Sequence, residues 1–210
     1  MTRPKSFTLL PHSVPRRITE PIVSVLARAG VSPNHLTLLG FLGNVGAGAL
    51  AARGEFLAAG VLVLVFSALD LLDGALARST GQASPFGAIF DSVLDRLSEA
   101  AVLGGLVFYY GERNEQEEVI LCFVALAGSI MVSYVRARAQ VEGFDLREGL
   151  FTRAERVLLM GGGLIIGQVR IALWILAVMA SATALQRVYS AWRHFQSAPP
   201  DETVLEEKPS

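Results

Sequence analysis

The distribution of apolar residues divides most of this chain into runs long enough to cross a lipid bilayer. A spanning helix needs about 20 predominantly apolar residues, and polar breaks separate six such runs. The predicted spans are residues 36–53, 56–77, 87–110, 117–139, 154–169 and 171–192. Only Gly167, Gln168 and Arg170 separate the last two, so we expect a tight turn there. The pattern predicts an all-α polytopic membrane protein with six transmembrane helices.

The chain on either side of these spans has a different character. Before the first span, the segment PRRITEPIVSVLARAG places apolar residues at helical spacing among arginines. This predicts an amphipathic helix lying in the membrane interface, with a simple linker as the alternative. The C-terminal tail is polar and proline-rich, and we expect it to be disordered. The predicted parts are a cytoplasmic N-terminal segment with a juxtamembrane helix (1–30), a membrane domain (31–195) and a cytoplasmic tail (196–210).

Composition and charge agree with a membrane protein and predict its orientation. The chain is 52% hydrophobic with a mean hydropathy of +0.47, and its net charge of −1 gives no reason to expect a nucleic-acid partner. Of its 18 lysines and arginines, all except Arg53, Arg113 and Arg170 fall on one side of the six spans. That side should be cytoplasmic, in the cell membrane, and it includes both termini. Cys122 is the only cysteine, which excludes an intramolecular disulfide.

Four aspartates interrupt this apolar pattern at the cytoplasmic ends of the second and third spans. Asp70 and Asp73 are three residues apart, and Asp91 and Asp95 are four apart, so each pair shares one helix face. The connection between them is short and rich in turn residues. We therefore expect the two spans to be antiparallel neighbours whose aspartate pairs face each other.

Carboxylates this close repel one another and call for a positive partner. A divalent cation with oxygen ligands, such as Mg²⁺, Mn²⁺ or Ca²⁺, suits the four aspartates, and no histidine or cysteine is near enough in sequence to favour zinc. Two such ions are typical of phosphoryl-transfer sites. The alternative is structural, with the aspartates capping helices or pairing with Arg78 and Arg96.

The aspartates belong to a longer pattern. It reads Asp70-x-x-Asp73-Gly74-x-x-Ala77-Arg78, then eight residues, then Gly87-x-x-x-Asp91-x-x-x-Asp95. At every fixed position this resembles the signature of the CDP-alcohol phosphatidyltransferase family. The segment SPNHLT at 32–37 is similar to the Pro-Asn-x-x-Thr sequence at the start of the family's first span.

The resemblance implies a mechanism and a set of site residues. Asp70, Asp73 and Asp91 would hold two Mg²⁺ ions, with Mn²⁺ as the alternative. Asp95 would touch the second ion and act as the general base for the acceptor hydroxyl, which attacks the lipid-bearing phosphorus and releases CMP. The residues implied to contact the CDP-lipid are Pro33, Asn34, Thr37, Gly74, Ala77, Arg78, Ser84 and Gly87.

The connection between the fourth and fifth spans, residues 133–157, is rich in arginine. This density is typical of cytoplasmic loops in general, but it also suits a pocket for a phosphorylated acceptor. The stretches SYVRARA and GLFTRAERV are similar to the bacterial phosphatidylinositol-phosphate synthase branch of the family, although Arg136 stands where relatives often have lysine. This similarity implies that the acceptor phosphate is held by Arg136, Arg156 and Arg187, with Arg138 and Arg153 as further candidates.

The expected function is transfer of the phosphatidyl group of CDP-diacylglycerol to 1D-myo-inositol 3-phosphate. Glycerol 3-phosphate is the alternative acceptor, and a divalent-cation transporter is the alternative from another class, although its acids should lie deeper in several spans. The resemblance also implies a homodimer. Gly104, Gly105 and Gly161–Gly163 could serve that contact or packing within one chain. A diacyl and an archaeol donor are not distinguished.

Overall fold

The computed structural model describes residues 16–146, 149 and 151–197, and this part of the chain folds into α-helices without strands. The first 15 residues, Arg147 and the predicted tail beyond residue 197 lie outside the described residues. The helices are α1 (Arg16–Arg28), α2 (Pro33–Ala52), α3 (Phe56–Thr80), α4 (Pro85–Gly111), α5 (Gln116–Val141), α6 (Arg153–Ile165) and α7 (Val169–Ser197).

Four of these helices, α2, α3, α5 and α7, are long and apolar enough to cross a membrane. The helix α4 has 27 residues but carries several charges, including Asp91, Asp95, Arg96 and Glu99. The helix α6 has only 13 residues, which at 1.5 Å per residue gives about 20 Å. Between α6 and α7 the backbone turns at Gly167, whose φ of +70° favours glycine, where the sequence predicted a turn.

The helix α2 packs against both α3 and α4. Over the described residues α3 and α4 pack against each other at few points, so they are not the directly packed neighbours that the sequence predicted. Their aspartates nevertheless face each other, as expected. The reason for the sparse packing of α3 and α4 is a close crossing of α2 and α4. A Cβ atom on Gly105 would strike the backbone oxygen of Gly48, and one on Gly48 would strike that of Ala101. Small residues thus let α2 lie between the two aspartate-bearing helices.

The remaining helices form the other side of the bundle, where α5 packs against α7 and α6 lies against α3 and α7. Gly161 contacts Leu64 and Gly60 of α3, and Gly163 contacts Ala172 of α7. These glycines, like Gly105, serve packing within the chain. In contrast, a Cβ atom on Gly104 or Gly162 would meet no atom within 4 Å.

Apolar side chains also cover much of the outer surface. Phe123 is 70% exposed and Leu185 is 72% exposed, which suits contact with lipid chains. On the segment predicted to be amphipathic, α1 buries Val23 while Ile22 and Val25 are exposed, and the helix packs against α3.

The start of α6 is fixed by a local hydrogen bond. The carboxylate of Glu155 accepts from the backbone N–H of Thr152, as in a capping box. Because the helix begins at Arg153, this arginine and Arg156 are three residues apart on one face. Both point toward the region where α3 and α4 carry their acidic residues.

Candidate active site

Of the four predicted metal ligands, Asp73 is the one that is buried as a whole residue, with 6% of its surface exposed. Thr37 Oγ1 on α2 donates a 2.6 Å hydrogen bond to Asp73 Oδ2, and the backbone N–H of Gly74 donates to Oδ1. A buried carboxylate needs such partners to offset its lost hydration. The hydroxyl of Thr37, predicted as a CDP-lipid contact, therefore orients Asp73 in this structure.

The carboxylates of Asp70 and Asp95 both contact the same nitrogen atom of Arg153. Nη2 of Arg153 lies 2.7 Å from Asp70 Oδ2 and 2.7 Å from Asp95 Oδ1. The three residues come from α3, α4 and the first position of α6. This shared contact brings the carboxylates of the two motif halves to one point, although α3 and α4 do not pack closely.

Asp91 lies one turn before Asp95 on α4 and is half-buried. It is close enough to Asp70 and Asp73 for their negative charges to repel one another. The structure therefore brings all four predicted aspartates together in one cluster.

The donor chemistry of this cluster fits a divalent cation, because four carboxylates offer only hard oxygen ligands. The shared Arg153 nitrogen demonstrates that a positive group can contact carboxylates from both helices at once. Within the described ranges, however, no three acidic, histidine or cysteine side chains already converge as a ligand set. Asp70 and Asp95 instead each pair with the Arg153 guanidinium.

Gly40 on α2 makes room for Asp70, a role that sequence reasoning missed. A Cβ atom at this position would strike Asp70 Oδ1 and lie 3.3 Å from the Phe66 backbone oxygen. The signal in the sequence was weak, because α2 contains several glycines and only the packing distinguishes this one.

The residues implied to bind the CDP-lipid lie at the ends of three helices. Ser84 caps α4 and accepts a 3.0 Å hydrogen bond from the Gly87 N–H. A Cβ atom on Gly87 would lie 3.4 Å from Asn34 Oδ1, so the starts of α2 and α4 adjoin. On α3, the Arg78 guanidinium lies over Gly74, 3.3 Å from where a Cβ atom would be.

The other predicted residues of this group lie on the same helices. Pro33 is buried at the start of α2, and Ala77 is half-buried on α3. The Ala77 carbonyl accepts a 3.0 Å hydrogen bond from the Gln82 N–H where α3 ends.

Three of the predicted acceptor arginines cluster beside the aspartates. Arg156 is 3% exposed and Arg187 is 5% exposed, and Arg187 is near enough to Arg136 and Arg156 to be repelled by both. Arg187 Nη1 donates a 2.6 Å hydrogen bond to the Val132 carbonyl, which fixes its direction. Guanidinium groups this close to one another favour an anionic ligand.

The two further candidates lie elsewhere. Arg138 is on the exposed surface, where it forms a 2.5 Å ion pair with Glu142. Arg153 contacts the aspartates rather than the other arginines. The predicted arginines thus lie in three environments: a cluster in which Arg156 and Arg187 are buried and Arg136 is exposed, a surface ion pair, and a contact with the acidic site.

Glu99 is a second residue that sequence reasoning missed. Its carboxylate accepts hydrogen bonds of 2.9 and 3.1 Å from Arg156, and Ser129 donates to it at 2.8 Å. The available signal was the continued four-residue spacing of Asp91, Asp95 and Glu99 on one face of α4. Two adjacent ion pairs, to Arg153 and to Arg156, therefore join α4 to α6.

A cavity of about 30 Å³ lies between these two ion pairs. Its lining combines the charged residues Asp95, Glu99, Arg153 and Arg156 with neutral polar residues such as Asn44 and with apolar side chains of α3, α4, α6 and α7. The space is sufficient for about one water molecule and connects the acidic cluster with the arginine cluster.

Comparison with known proteins identifies the class of this site. Residues 30–191 match the family model described as CDP-alcohol phosphatidyltransferase. The chain is 38% identical over 183 residues to an archaetidylinositol phosphate synthase of Pyrococcus horikoshii, covering 84% of this chain and 92% of that protein. It is 33% identical over 188 residues to a phosphatidylinositol phosphate synthase of Mycobacterium marinum, covering 84% and 80%.

Solved structures give the same result. The phosphatidylinositol phosphate synthase of Mycobacterium tuberculosis with CDP-DAG bound superposes with a TM-score of 0.78 at 30% identity, covering 92% of this chain and all of that one. A crystal structure of that protein with manganese and citrate gives a TM-score of 0.77 at 31% identity, covering 83% of this chain and 88% of that one. The motif, the clustered aspartates and these similarities agree, and the chain belongs to the CDP-alcohol phosphatidyltransferase family.

Proposed function

We propose that this enzyme transfers the phosphatidyl group of CDP-diacylglycerol to 1D-myo-inositol 3-phosphate and releases CMP. The observation that carries the proposal is the placement of the aspartate cluster beside three arginines, with α6 contacting both. The aspartate cluster can hold the cations that neutralise a nucleoside diphosphate, and the arginine cluster can bind the phosphate of an acceptor. Relatives named archaetidylinositol phosphate synthase and phosphatidylinositol phosphate synthase support this choice of acceptor.

Asp70, Asp73, Asp91 and Asp95 would hold two divalent cations, Mg²⁺ or Mn²⁺. Bound there, such ions neutralise the pyrophosphate and stabilise the charge on the attacking and leaving oxygens. Manganese in a solved relative supports a divalent ion. Thr37 and Gly74 keep the Asp73 carboxylate in a fixed orientation for this purpose.

Asp95 acts as the general base. It takes the proton of the acceptor hydroxyl, whose oxygen forms a bond to the phosphorus that bears the lipid. The bond from this phosphorus to the bridging oxygen of the pyrophosphate breaks, and CMP leaves with that oxygen. Asp95 borders the small cavity between the two clusters, a suitable place for a group that must reach the acceptor.

The ends of α2, α3 and α4 would bind the CDP-lipid. Asn34, Ser84 and Gly87 lie close together where a nucleotide can contact exposed backbone. Arg78 and Gly74 would face the phosphates, because the missing side chain at Gly74 permits close approach. Pro33 and Ala77 complete the group, and Thr37 contributes through its hydrogen bond to Asp73.

Arg136, Arg156 and Arg187 would bind the acceptor phosphate. Two of them are buried and held in place, Arg156 by Glu99 and Arg187 by the Val132 carbonyl. Preorganised guanidinium groups lose little freedom on binding an anion. Arg136 is exposed and would close over the ligand.

We further propose that α2–α7 form six membrane spans, with α1 lying in the cytoplasmic interface of the cell membrane and both termini in the cytoplasm. The charge distribution supports this orientation. Two copies of the chain would form a homodimer. Gly104 and Gly162, whose Cβ positions are open, are where a second copy could approach closely.

The test is CMP release by the purified protein with CDP-diacylglycerol and Mg²⁺. Inositol 3-phosphate, glycerol 3-phosphate, free inositol and serine are offered separately, and CDP-archaeol replaces the donor in a parallel series. We expect turnover with inositol 3-phosphate and complete loss in EDTA. Turnover with glycerol 3-phosphate instead would retain the chemistry and change the acceptor.

The variant Asp95→Asn should lower the rate by at least about 100-fold, as expected for loss of a general base. Glu112→Gln makes the same carboxylate-to-amide change just beyond the other end of α4, where the residue is exposed, and should leave the rate unchanged. An active Asp95→Asn enzyme would exclude Asp95 as the base.

A further inference from the structure

The position of Arg153 is unusual because its charge is directed to the catalytic acids instead of the acceptor cluster. Its side chain is 28% exposed, whereas those of Asp70 and Asp95 are 6% and 19% exposed. One nitrogen contacts both carboxylates at 2.7 Å. Residues 83 positions apart in sequence are thereby joined, so the contact results from the tertiary fold.

The shared nitrogen occupies the space that a cation bridging these two carboxylates would need. Metal–oxygen distances for Mg²⁺ are about 2.0–2.1 Å, so an ion bound to both Oδ2 of Asp70 and Oδ1 of Asp95 would overlap the guanidinium. Like charges would also repel there. The two cations therefore exclude each other sterically and electrostatically.

We propose that Arg153 is an internal counter-ion of the aspartate cluster, which competes with a divalent cation for Asp70 and Asp95 and must move away when the cation binds. This inference rests on the metal site of the proposed function. Arg153 keeps the carboxylates compensated in the absence of the ion and lowers the affinity for it, because each binding event first breaks two ion pairs.

The movement of Arg153 needs no shift of α6, because Arg156 remains paired with Glu99 one turn further along the same helix. Arg153 would then remain at the edge of the acceptor cluster.

The experiment measures Mn²⁺ binding to the purified full-length protein without substrates, using the electron paramagnetic resonance signal of free Mn²⁺. Arg153→Gln removes the competing charge and should bind Mn²⁺ at least about tenfold more tightly than the wild type, which corresponds to 1.4 kcal/mol. The Mn²⁺ affinity of Arg153→Lys should lie between those of the wild type and Arg153→Gln, since the lysine side chain is one bond shorter and cannot bridge both carboxylates in the same way.

The matched control is Arg96→Gln. Arg96 is close enough to Asp91 and Asp95 to attract them, but its guanidinium donates to the Ser92 carbonyl. Loss of this charge tests general electrostatics without removing a direct competitor, and we expect a change in Mn²⁺ affinity of no more than about threefold.

Equal gains in affinity from Arg96→Gln and Arg153→Gln would overturn direct competition, as would unchanged or weaker binding by Arg153→Gln. In either case wild-type binding of Mn²⁺ would leave the proposed function intact. Failure of both the wild-type and the Arg153→Gln proteins to bind Mn²⁺ would overturn both proposals.

Thermal unfolding supplies a second measurement. In EDTA, Arg153→Gln should unfold at a lower temperature than the wild type because four carboxylates lose their counter-ion. Added Mn²⁺ should raise the unfolding temperature of Arg153→Gln by more than it raises that of the wild type. Equal gains would contradict the proposal. If Arg153→Gln does not fold, Arg153→Lys takes its place in both measurements.

Discussion

At the scale of single residues, small side chains determine where the acids can lie. Gly40 on α2 faces Asp70 on α3, and the space left by its missing Cβ atom is filled by a carboxylate oxygen. The same helix has Thr37 one turn earlier, bonded to Asp73. One face of α2 thus positions both aspartates of α3.

Replacing Gly40 by alanine should therefore displace Asp70 and reduce CMP release by at least about tenfold, which is equivalent to 1.4 kcal/mol of transition-state stabilisation. Gly46→Ala is the matched control on the same helix, because its Cβ would meet only Leu62 Cδ1 at 4.0 Å. It should retain activity and gain up to about 1 kcal/mol of stability from helix propensity. Equal activities of the two variants would contradict this role of Gly40.

Glu99 is expected to act as a positioning residue through Arg156. Glu99→Gln weakens a charged pair worth about 1.5–3 kcal/mol, so the KM for the phosphorylated acceptor should rise by about tenfold or more, with little change in the KM for the CDP-lipid. Steady-state kinetics with each substrate varied in turn measures this difference. Glu99→Asp should restore part of the acceptor affinity, whereas a uniform loss of kcat would indicate a merely structural role.

At the scale of helices, the crossing of α2 and α4 sets the distance between the two halves of the motif. Gly48 and Gly105 bring the two backbones together. Asp91 and Asp95 lie on the same helix as Gly105, so a change in the crossing of α2 and α4 also moves these two aspartates.

Gly105→Ala should destabilise the protein by about 1–3 kcal/mol, the usual cost of overpacking, and lower activity because α4 moves relative to α3. Gly111→Ala, at an open position at the end of the same helix, should be neutral or slightly stabilising. Thermal unfolding in detergent compares the two variants. A stable and active Gly105→Ala protein would show that the helices can separate without cost.

The helices and the acidic cluster could be predicted from the sequence because both depend on local patterns. Apolar runs predicted the positions of α2–α7, and glycine at position 167 indicated the last turn. The contact of Arg153 with Asp70 could not be predicted in this way, since periodicity carries no information on which side chains meet across 83 positions. The place of α2 between α3 and α4 was likewise decided by which glycines face a neighbour.

At the scale of the whole molecule, the proposed topology depends on whether α4 and α6 cross the membrane. Both are less favourable than the other spans, α4 through its charges and α6 through its length. If both cross, the α3–α4 turn and the α4–α5 turn lie on opposite sides.

Single cysteines at Gln82 and Glu112 should therefore react differently with a membrane-impermeant maleimide in intact spheroplasts. We expect labelling at position 112 from outside, and at position 82 only after the membrane is permeabilised. The native Cys122 is buried, so unsubstituted protein gives the background. Protection of both positions in intact cells would place them on one side and exclude a six-span topology.

The shortness of α6 has a consequence for competing chemistry. Arg153 contacts the aspartates and therefore lies at the same depth in the membrane as they do. About 20 Å of helix α6 separates it from the turn at Gly167 on the outer side. The hydrocarbon core of a bilayer is about 30 Å thick. In the proposed topology the reacting phosphorus thus lies below the surrounding headgroups, where bulk water is scarce. A base that activates an alcohol would equally activate water. The depth set by one short helix would therefore favour transfer of the lipid over hydrolysis of the activated donor.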